Sequence, residues 1–264
     1  MKKLKILFLL LLVSQHFFSQ KNKIFVEYEI TNVSTGKPIY VKAKLYVDKT
    51  KSVYTIDPKD TKYNKEEKAN YNENDNSITK IIYKSNSTIF YLVTDILKDS
   101  LEYNSNSSGT KFIVQEKKYP FKWTFNKETK KIGNFNCSKA TTYFRGRNYI
   151  AWYSTEIPLN SGPWKFSGLP GLIIEIKDLE NIFSWKMKTL IYPYKENMPN
   201  VIPNKEVYTK IKLKDYIGVQ GKNSTNFASL IQTKMPKGSE FRDMKIKRQG
   251  IELIYEWEEE TKEN

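Results

Sequence analysis

The chain has 264 residues and a formal net charge of +15, with one histidine and one cysteine. The histidine, His16, lies in an N-terminal leader; without it the chain has no imidazole for Ser-His-Asp or Cys-His catalysis or for histidine-bound metals. Cys137 is the single thiol, which excludes intramolecular disulfides and multi-thiolate metal sites. We therefore expect no metal and no cofactor, and a fold that its hydrophobic core alone stabilises.

Residues 1–20 have the pattern of a secretory signal peptide, because three lysines precede an apolar run over residues 6–13. The run is shorter than the ~20 residues that cross a bilayer, so we do not expect a transmembrane protein. No cysteine lies near the exit of this run, so we expect no lipid anchor. The sequence predicts an exported protein, periplasmic or extracellular, with a single β-rich domain over residues 21–264.

The basic residues do not predict a nucleic-acid partner. Removing the three lysines of the leader would lower the formal charge from +15 to +12. The remaining lysines are spread along the chain and form neither a basic helix nor an aromatic-basic binding motif.

Alternation of apolar and polar residues is the dominant pattern after the leader, and it predicts β-strands. In the first two segments the apolar face comprises Ile24, Val26, Tyr28, Ile30, Ile39, Val41, Ala43, Leu45 and Val47. The short turn at residues 34–37 contains a glycine and makes these segments an antiparallel hairpin. Similar segments follow at 52–56, 77–84, 87–96, 110–117 and 119–125, with polar turns such as 104–109 between them. We predict a mainly β fold: a curved antiparallel sheet, half-barrel or sandwich.

Two polar segments and the C-terminal region complete the prediction. Residues 57–76 contain no aliphatic side chain larger than Ala69, so we expect a mobile loop, whose length also fits a segment flanking a ligand site. Residues 224–235 have helical spacing, with Ser224 or Thr225 as the cap, and predict one short helix of the one or two expected near the C-terminus. Residues 251–257 alternate as a further strand, and 258–264 form an acidic tail.

A hairpin centred on Gly146 contains two of the chain's four arginines, Arg145 and Arg147. A two-residue turn with glycine first predicts type II′ geometry, with Phe144 opposite Tyr149. Lysine is the usual basic residue of this chain, so an arginine pair can mark a place that needs a planar, forked donor. The alternative is that both arginines decorate an exposed turn.

The segment "SGPWKFSGLPGLIIEIKD", residues 161–178, combines turn residues with a strongly apolar strand. Pro170 followed by Gly171 predicts a type II turn in which Gly171 has a positive φ, while Gly168 allows close backbone approach. Leu172 and Ile173 then begin a strand that is buried on both faces. We interpret the hexapeptide, with Leu169 between Gly168 and Pro170, as architecture.

Residues 137–178, with "GLPGLI" at 168–173, closely resemble the defining region of the GLPGLI family of exported Bacteroidota-type proteins. The resemblance extends more loosely to the N-terminal strands and to Gly250–Leu253. The family has no assigned activity, so the resemblance implies an exported location and a β-rich fold and supplies no catalytic residue.

The functional hypothesis that follows is a non-catalytic envelope protein with an aromatic-lined surface. Its ligand would be hydrophobic or peptide-like, such as a lipid, or an outer-membrane protein. The candidate contact residues are Arg145, Arg147, Trp152, Trp164 and Glu175.

Two alternatives remain open beside the binding hypothesis. The first is a structural or scaffolding component of an outer-membrane complex. The second is a hydrolase that uses Glu156 and Glu175 as an acid/base pair. A simpler role for Glu175 is an ion pair with Arg145 or Arg147.

Overall fold

The computed structural model describes residues 23–61, 88–201, 207–233, 248 and 250–259. Its strands are β1 (Lys23–Asn32), β2 (Ile39–Val47), β3 (Lys51–Thr61), β4 (Phe90–Asp95), β5 (Ser100–Ser107), β6 (Thr110–Lys117), β7 (Thr124–Ile132), β8 (Phe135–Phe144), β9 (Arg147–Ser154), β10 (Leu172–Asp178), β11 (Phe183–Tyr194) and β12 (Thr209–Lys212). Two helices are described, α1 (Leu213–Thr233) and α2 (Glu256–Glu259).

All twelve strands belong to one sheet, in the order β12-β6-β5-β4-β3-β2-β1-β11-β10-β9-β8-β7. Neighbouring strands are antiparallel, except that β12 runs parallel to β6. The predicted mainly β fold with C-terminal helices is therefore confirmed. Among the described strands, the two at the ends of the sheet, β12 and β7, are not paired with each other.

The N-terminal hairpin has the predicted turn and the predicted inward face. Ile24, Val26, Tyr28 and Ile30 of β1 are at most 8% exposed. On β2 the inward side chains from Ala43 to Val47 are buried, whereas Ile39 and Val41 are partly exposed. The buried Tyr28 hydroxyl donates a 2.7 Å hydrogen bond to the carbonyl oxygen of Ile173, so this hairpin is tied to β10.

The core lies on the face of the sheet that is covered by residues 157–169 and by α1. The ring of Phe166 lies 4.8 Å from Tyr149 of β9 and 5.6 Å from Trp185 of β11. Tyr216 of α1 packs edge-on against Phe112 of β6, with ring centroids 5.5 Å apart.

Strand β10 is buried on both faces, as predicted. Its aliphatic side chains point to alternate sides of the sheet and are all fully covered: Leu172, Ile173, Ile174 and Ile176. Strand β10 has a neighbouring strand on each side in the sheet, and other parts of the chain cover both of its faces. It therefore lies in the interior of the molecule.

The structure corrects several predicted element boundaries. The helix begins at Leu213, so Ser224 and Thr225 lie inside α1 and do not cap it. Residues 251–255 form no strand, and α2 follows them.

Strands β5 and β7 are longer than the sequence pattern indicates. Strand β5 extends through most of the polar stretch 104–109, and the charged strand β7 was not predicted beyond residue 125. Partner strands on either side of β5 supply its backbone hydrogen bonds, which outweigh its weak local propensity.

Parts of the prediction lie outside the described residues. These are the leader 1–20, the segment 77–84, and the tail from residue 260 onward. Of the polar segment 57–76, residues 57–61 belong to β3 and the remainder lies outside the described residues.

The arginine hairpin has a different turn from the predicted one. Phe144 pairs with Arg147, so Arg145 and Gly146 are the two central residues of the turn. Their φ values are 44° and 89°, and two positive values define a type I′ turn in place of type II′. The register prediction of Phe144 opposite Tyr149 was therefore wrong by two residues.

The glycines of the hexapeptide have the opposite roles to those predicted. Gly168 has a φ of +99°, whereas Gly171 has no positive φ. A Cβ atom on Gly171 would lie 2.1 Å from the carbonyl oxygen of Ser154, the last residue of β9. Gly171 is required because the two backbones touch, and Gly168 is required by its left-handed conformation.

We expect Gly171→Ala to lower the free energy of unfolding by about 3 kcal/mol, because the new methyl group overlaps a backbone that cannot move alone. Urea denaturation of the purified protein measures this effect. Gly218→Ala is the matched control, since a Cβ atom on this glycine of α1 would have nothing within 4 Å and alanine favours helices. Equal stability of Gly171→Ala and the wild type would contradict the close approach.

Candidate ligand-binding groove and its buried ion cluster

Arg145 is the centre of a buried ion cluster, which we define as Glu116, Arg145, Lys165, Glu252 and Glu256. The turn places the Arg145 side chain inside the protein, and the residue is 6% exposed, as is Arg147. Its Nη2 lies 3.0 Å from Glu116 Oε2 and its Nε lies 2.9 Å from Glu256 Oε1, while Nη1 contacts Glu252. The interpretation of both arginines as exposed decoration is therefore wrong.

Lys165 is the second cation of the buried ion cluster. Its Nζ lies 2.9 Å from Glu252 Oε1 and also contacts Glu116. The Lys165 side chain is 3% exposed, and the turn from Pro163 to Phe166 positions it, closed by a 3.1 Å backbone hydrogen bond.

Arg147 forms a separate buried pair with Asp178 at the end of β10. The distance from Arg147 Nη1 to Asp178 Oδ2 is 2.9 Å, and the Asp178 residue is fully buried. The other edge of the guanidinium donates to the carbonyl oxygen of Gly250 at 2.8 and 3.0 Å. Both arginines thus use the planar, forked donor geometry that lysine lacks.

Two of the buried carboxylates, Glu252 and Asp178, have pKa values shifted in opposite directions. Burial alone would raise the pKa of Glu252, but the neighbouring charges of Lys165 and Arg145 outweigh it and hold the pKa below its ordinary value. For Asp178, burial outweighs the hydrogen bond from Phe183 and the charge of Arg147, and the pKa is raised. Glu252 therefore stabilises the fold as a carboxylate, and this contribution is lost as the pH falls through its folded-state pKa.

We expect Glu252→Gln to cost about 3 kcal/mol near neutral pH, because it removes a charge that two buried cations share. The difference from the wild type should shrink as the pH falls from the ordinary glutamate pKa, where the unfolded state becomes protonated, through the lower folded-state pKa, where the folded carboxylate is protonated as well. Urea denaturation over a pH series measures both effects.

The control for this series is Glu128→Gln, which removes an exposed carboxylate 2.7 Å from Lys139. We expect it to change stability by less than about 1 kcal/mol and to leave the pH profile unchanged. A constant difference between Glu252→Gln and the wild type at every pH would contradict the linkage.

The C-terminal segment 250–257 is held against the sheet by these arginines. Besides the side-chain contacts, the backbone N–H of Leu253 donates to the carbonyl oxygen of Arg145 at 2.8 Å. Tyr149 donates its hydroxyl to the carbonyl oxygen of Ile251 at 3.3 Å. These contacts place the Ile251 side chain at the border of an apolar groove.

We call this feature the aromatic groove; it has a volume of about 470 Å³ and lies at one end of strands β1–β4 and β11. Its apolar lining consists of Ile30, Ile39, Val41, Tyr54, Ile56, Pro58, Phe90, Trp164, Phe183, Trp185 and Ile251. Asn32 is the polar amide side chain among the lining residues. The volume lies within the range of small-molecule sites, which are mostly apolar with few polar groups.

Trp164 forms the wall of the aromatic groove contributed by the hexapeptide segment. Its φ is +54°, a left-handed conformation that bulky side chains rarely adopt. Its indole stacks on Trp185 with ring centroids 6.3 Å apart and planes 10° apart. Trp185 is fixed in turn, because its Nε1 donates to the Tyr54 hydroxyl at 3.2 Å. Backbone strain of this kind concentrates at functional sites.

The other predicted site residues lie elsewhere. Trp152 and Glu175 are register partners on β9 and β10, and both contact Lys130, whose Nζ lies 4.3 Å from the Trp152 ring centroid and 3.5 Å from Glu175 Oε2. Glu175 therefore pairs with a lysine and with neither arginine. Glu156 is exposed and accepts hydrogen bonds from Asn136. Neither glutamate lines the aromatic groove.

Most residues of the aromatic groove were not identified as site residues from the sequence. Ile39 and Val41 fit the inward face of a strand, as does Trp185, and such positions are usually core. Only their partial exposure in the folded sheet distinguishes Ile39 and Val41 from the fully buried part of β2. The groove exists because five strands end at one place, which alternation along one strand does not reveal.

The described residues contain neither a group of metal-ligating side chains nor a membrane-spanning helix. Among them, no three histidine, cysteine or acidic side chains are grouped so as to hold a metal ion. Within the same ranges, no helix has both the length and the apolar character needed to cross a membrane.

A protein family described as a protein of unknown function (Porph_ging) matches residues 145–175. The matched segment contains both arginines, the Trp164 turn and all six residues of the hexapeptide. No curated protein sequence matches the chain.

The fold is similar to that of PNGF-II in two crystal forms. The structure in space group P21 has a TM-score of 0.52 and 12% identity, and covers 76% of this chain and 34% of the PNGF-II chain. The structure in space group C2 has the same TM-score and 13% identity, and covers 76% and 33%. This chain thus spans about a third of PNGF-II, and the likeness is one of fold.

Proposed function

We propose that this chain is an exported, non-catalytic binding protein of the cell envelope, of the GLPGLI type, whose aromatic groove takes an uncharged apolar ligand. Export rests on the signal-peptide pattern of residues 1–20. The GLPGLI assignment rests on the complete hexapeptide at residues 168–173, inside the segment that matches a family of unknown function.

The observation that supports binding is the partly exposed, preformed apolar surface of the aromatic groove. Ile39, Val41 and Trp164 remain partly exposed although Val41 and Trp164 contact the core, so their burial is incomplete until a ligand covers them. Covering such surface stabilises a complex by roughly 25 cal/mol per Å². Few polar groups line the groove, which favours an acyl chain or an apolar peptide side chain over a charged ligand.

We expect Ile39→Asp to weaken the binding of N-phenyl-1-naphthylamine, an uncharged fluorescent probe, by about tenfold or more, since a carboxylate must then be desolvated. Fluorescence titration of the purified protein measures the affinity. Ile191→Asp is the matched control, because Ile191 is 44% exposed and lies outside the groove.

Native mass spectrometry of protein purified from the periplasm tests the same function without a chosen probe. A bound lipid or peptide that is lost in Ile39→Asp supports the proposal. Failure of the wild type to bind the probe, together with an empty protein and a co-purifying membrane protein, would replace it with the scaffolding alternative.

A further inference from the structure

A second concave region lies beside the buried ion cluster and shares no lining residue with the aromatic groove. It has a volume of about 1120 Å³, and strands β4–β6, the loop after β6 and the junction of β12 with α1 line it. We call it the lysine cleft and define it by Lys117, Lys118, Lys122, Lys212, Leu213 and Trp257.

The acidic side chains that line the lysine cleft are engaged with other groups. Asp95 pairs with Lys98 at 3.2 Å, and Glu102 accepts a 3.4 Å hydrogen bond from Gln115. The two glutamates at the border with the buried ion cluster, Glu116 and Glu256, contact Arg145. Three of these four carboxylates are therefore paired with a cation, whereas Glu102 keeps an uncompensated charge, and the lining as a whole has six basic and four acidic side chains.

Five lysines line the cleft, and in the described part of the chain all except Lys98 lack the carboxylate partner that Lys98 has in Asp95. Within the described ranges, no ion pair joins Lys117, Lys118, Lys122 or Lys212 to a carboxylate. All four come from segments that the fold brings together, with Lys117 at the end of β6 and Lys212 at the end of β12. Four ammonium groups around one cleft favour an anionic occupant.

The cleft also has an apolar wall. Its exposed part consists of Pro120 and Trp257, whereas Leu101 and Leu213 are at most 5% exposed. The Trp257 indole is held by stacking on Tyr255, with ring centroids 4.9 Å apart and planes 8° apart. A small inorganic anion would leave this wall uncovered, whereas a molecule with an aliphatic chain would cover it.

We propose that the lysine cleft binds an anionic amphiphile, with a carboxylate or phosphate headgroup at the lysines and an aliphatic chain along the Trp257 wall. This site is distinct from the aromatic groove in place, charge and ligand. The headgroup interactions are exposed, so the affinity falls as the salt concentration rises.

The test uses dodecyl phosphate as the probe and the Ile39→Asp protein as the background, so that binding in the aromatic groove is already weakened. Isothermal titration gives the dissociation constant. Because the chain has five tryptophans, the part of the fluorescence change that Trp257→Phe removes reports occupancy of the cleft. We expect the double variant Lys117→Glu/Lys212→Glu to bind about tenfold more weakly, because it removes two attractive charges and adds two repulsive ones.

The matched control is Lys127→Glu/Lys131→Glu, which makes the same change of charge on the exposed strand β7, outside the cleft. Its affinity should stay within about twofold of the background protein. Equal weakening in both double variants would overturn the proposal, since net charge alone would then explain binding. Equal affinity for dodecanol, or for inorganic phosphate, would overturn it as well.

Sedimentation with phosphatidylglycerol vesicles separates two sources of the amphiphile. Sedimentation that the cleft variant loses assigns the headgroup to a bilayer, and binding of dissolved dodecyl phosphate without sedimentation assigns it to a free molecule. If the wild type does not bind N-phenyl-1-naphthylamine in the aromatic groove but dodecyl phosphate still binds in the lysine cleft, the function proposed above is wrong and this inference stands.

Discussion

The contact between Arg145 and Glu116 is the constraint on which the shape of the molecule depends. Arg145 lies in the turn between β8 and β9, and Glu116 lies on β6, with seven strands between β6 and β9 in the sheet. In a flat sheet these strands would be about 38 Å apart at the usual spacing. The 3.0 Å contact therefore requires a sheet that curls back on itself, although β12 and β7 at its ends do not pair.

The same cluster links the hexapeptide segment and the C-terminal segment to the curled sheet. Lys165 and Glu252 complete it, and the neighbouring residues Trp164 and Ile251 border the aromatic groove. Isolated charges would be costly to bury, but each cation here has more than one acidic partner. The buried ion cluster therefore positions two apolar side chains, Trp164 and Ile251, that remain partly exposed to solvent.

Local sequence pattern predicted the parts of the fold that depend on neighbours along the chain. The alternation in β1 identified its four buried side chains, and the apolar run after Gly171 identified the doubly covered strand β10. The prediction failed where a distant segment supplies the reason for a residue. Gly171 is needed because the Ser154 carbonyl lies against it, and β5 is a strand because β4 and β6 flank its polar residues.

The sequence by itself determined the β-rich class, the presence of a single histidine and a single cysteine, and the unusual character of Arg145, because composition and short-range periodicity carry that information. Only the tertiary structure decided that Arg145 is buried, that Ile39 and Trp185 share a groove with Trp164, and that Lys117 and Lys212 line one cleft. The physical reason is that burial and charge pairing depend on which strands curl together, and strands far apart in sequence contribute to each of these places.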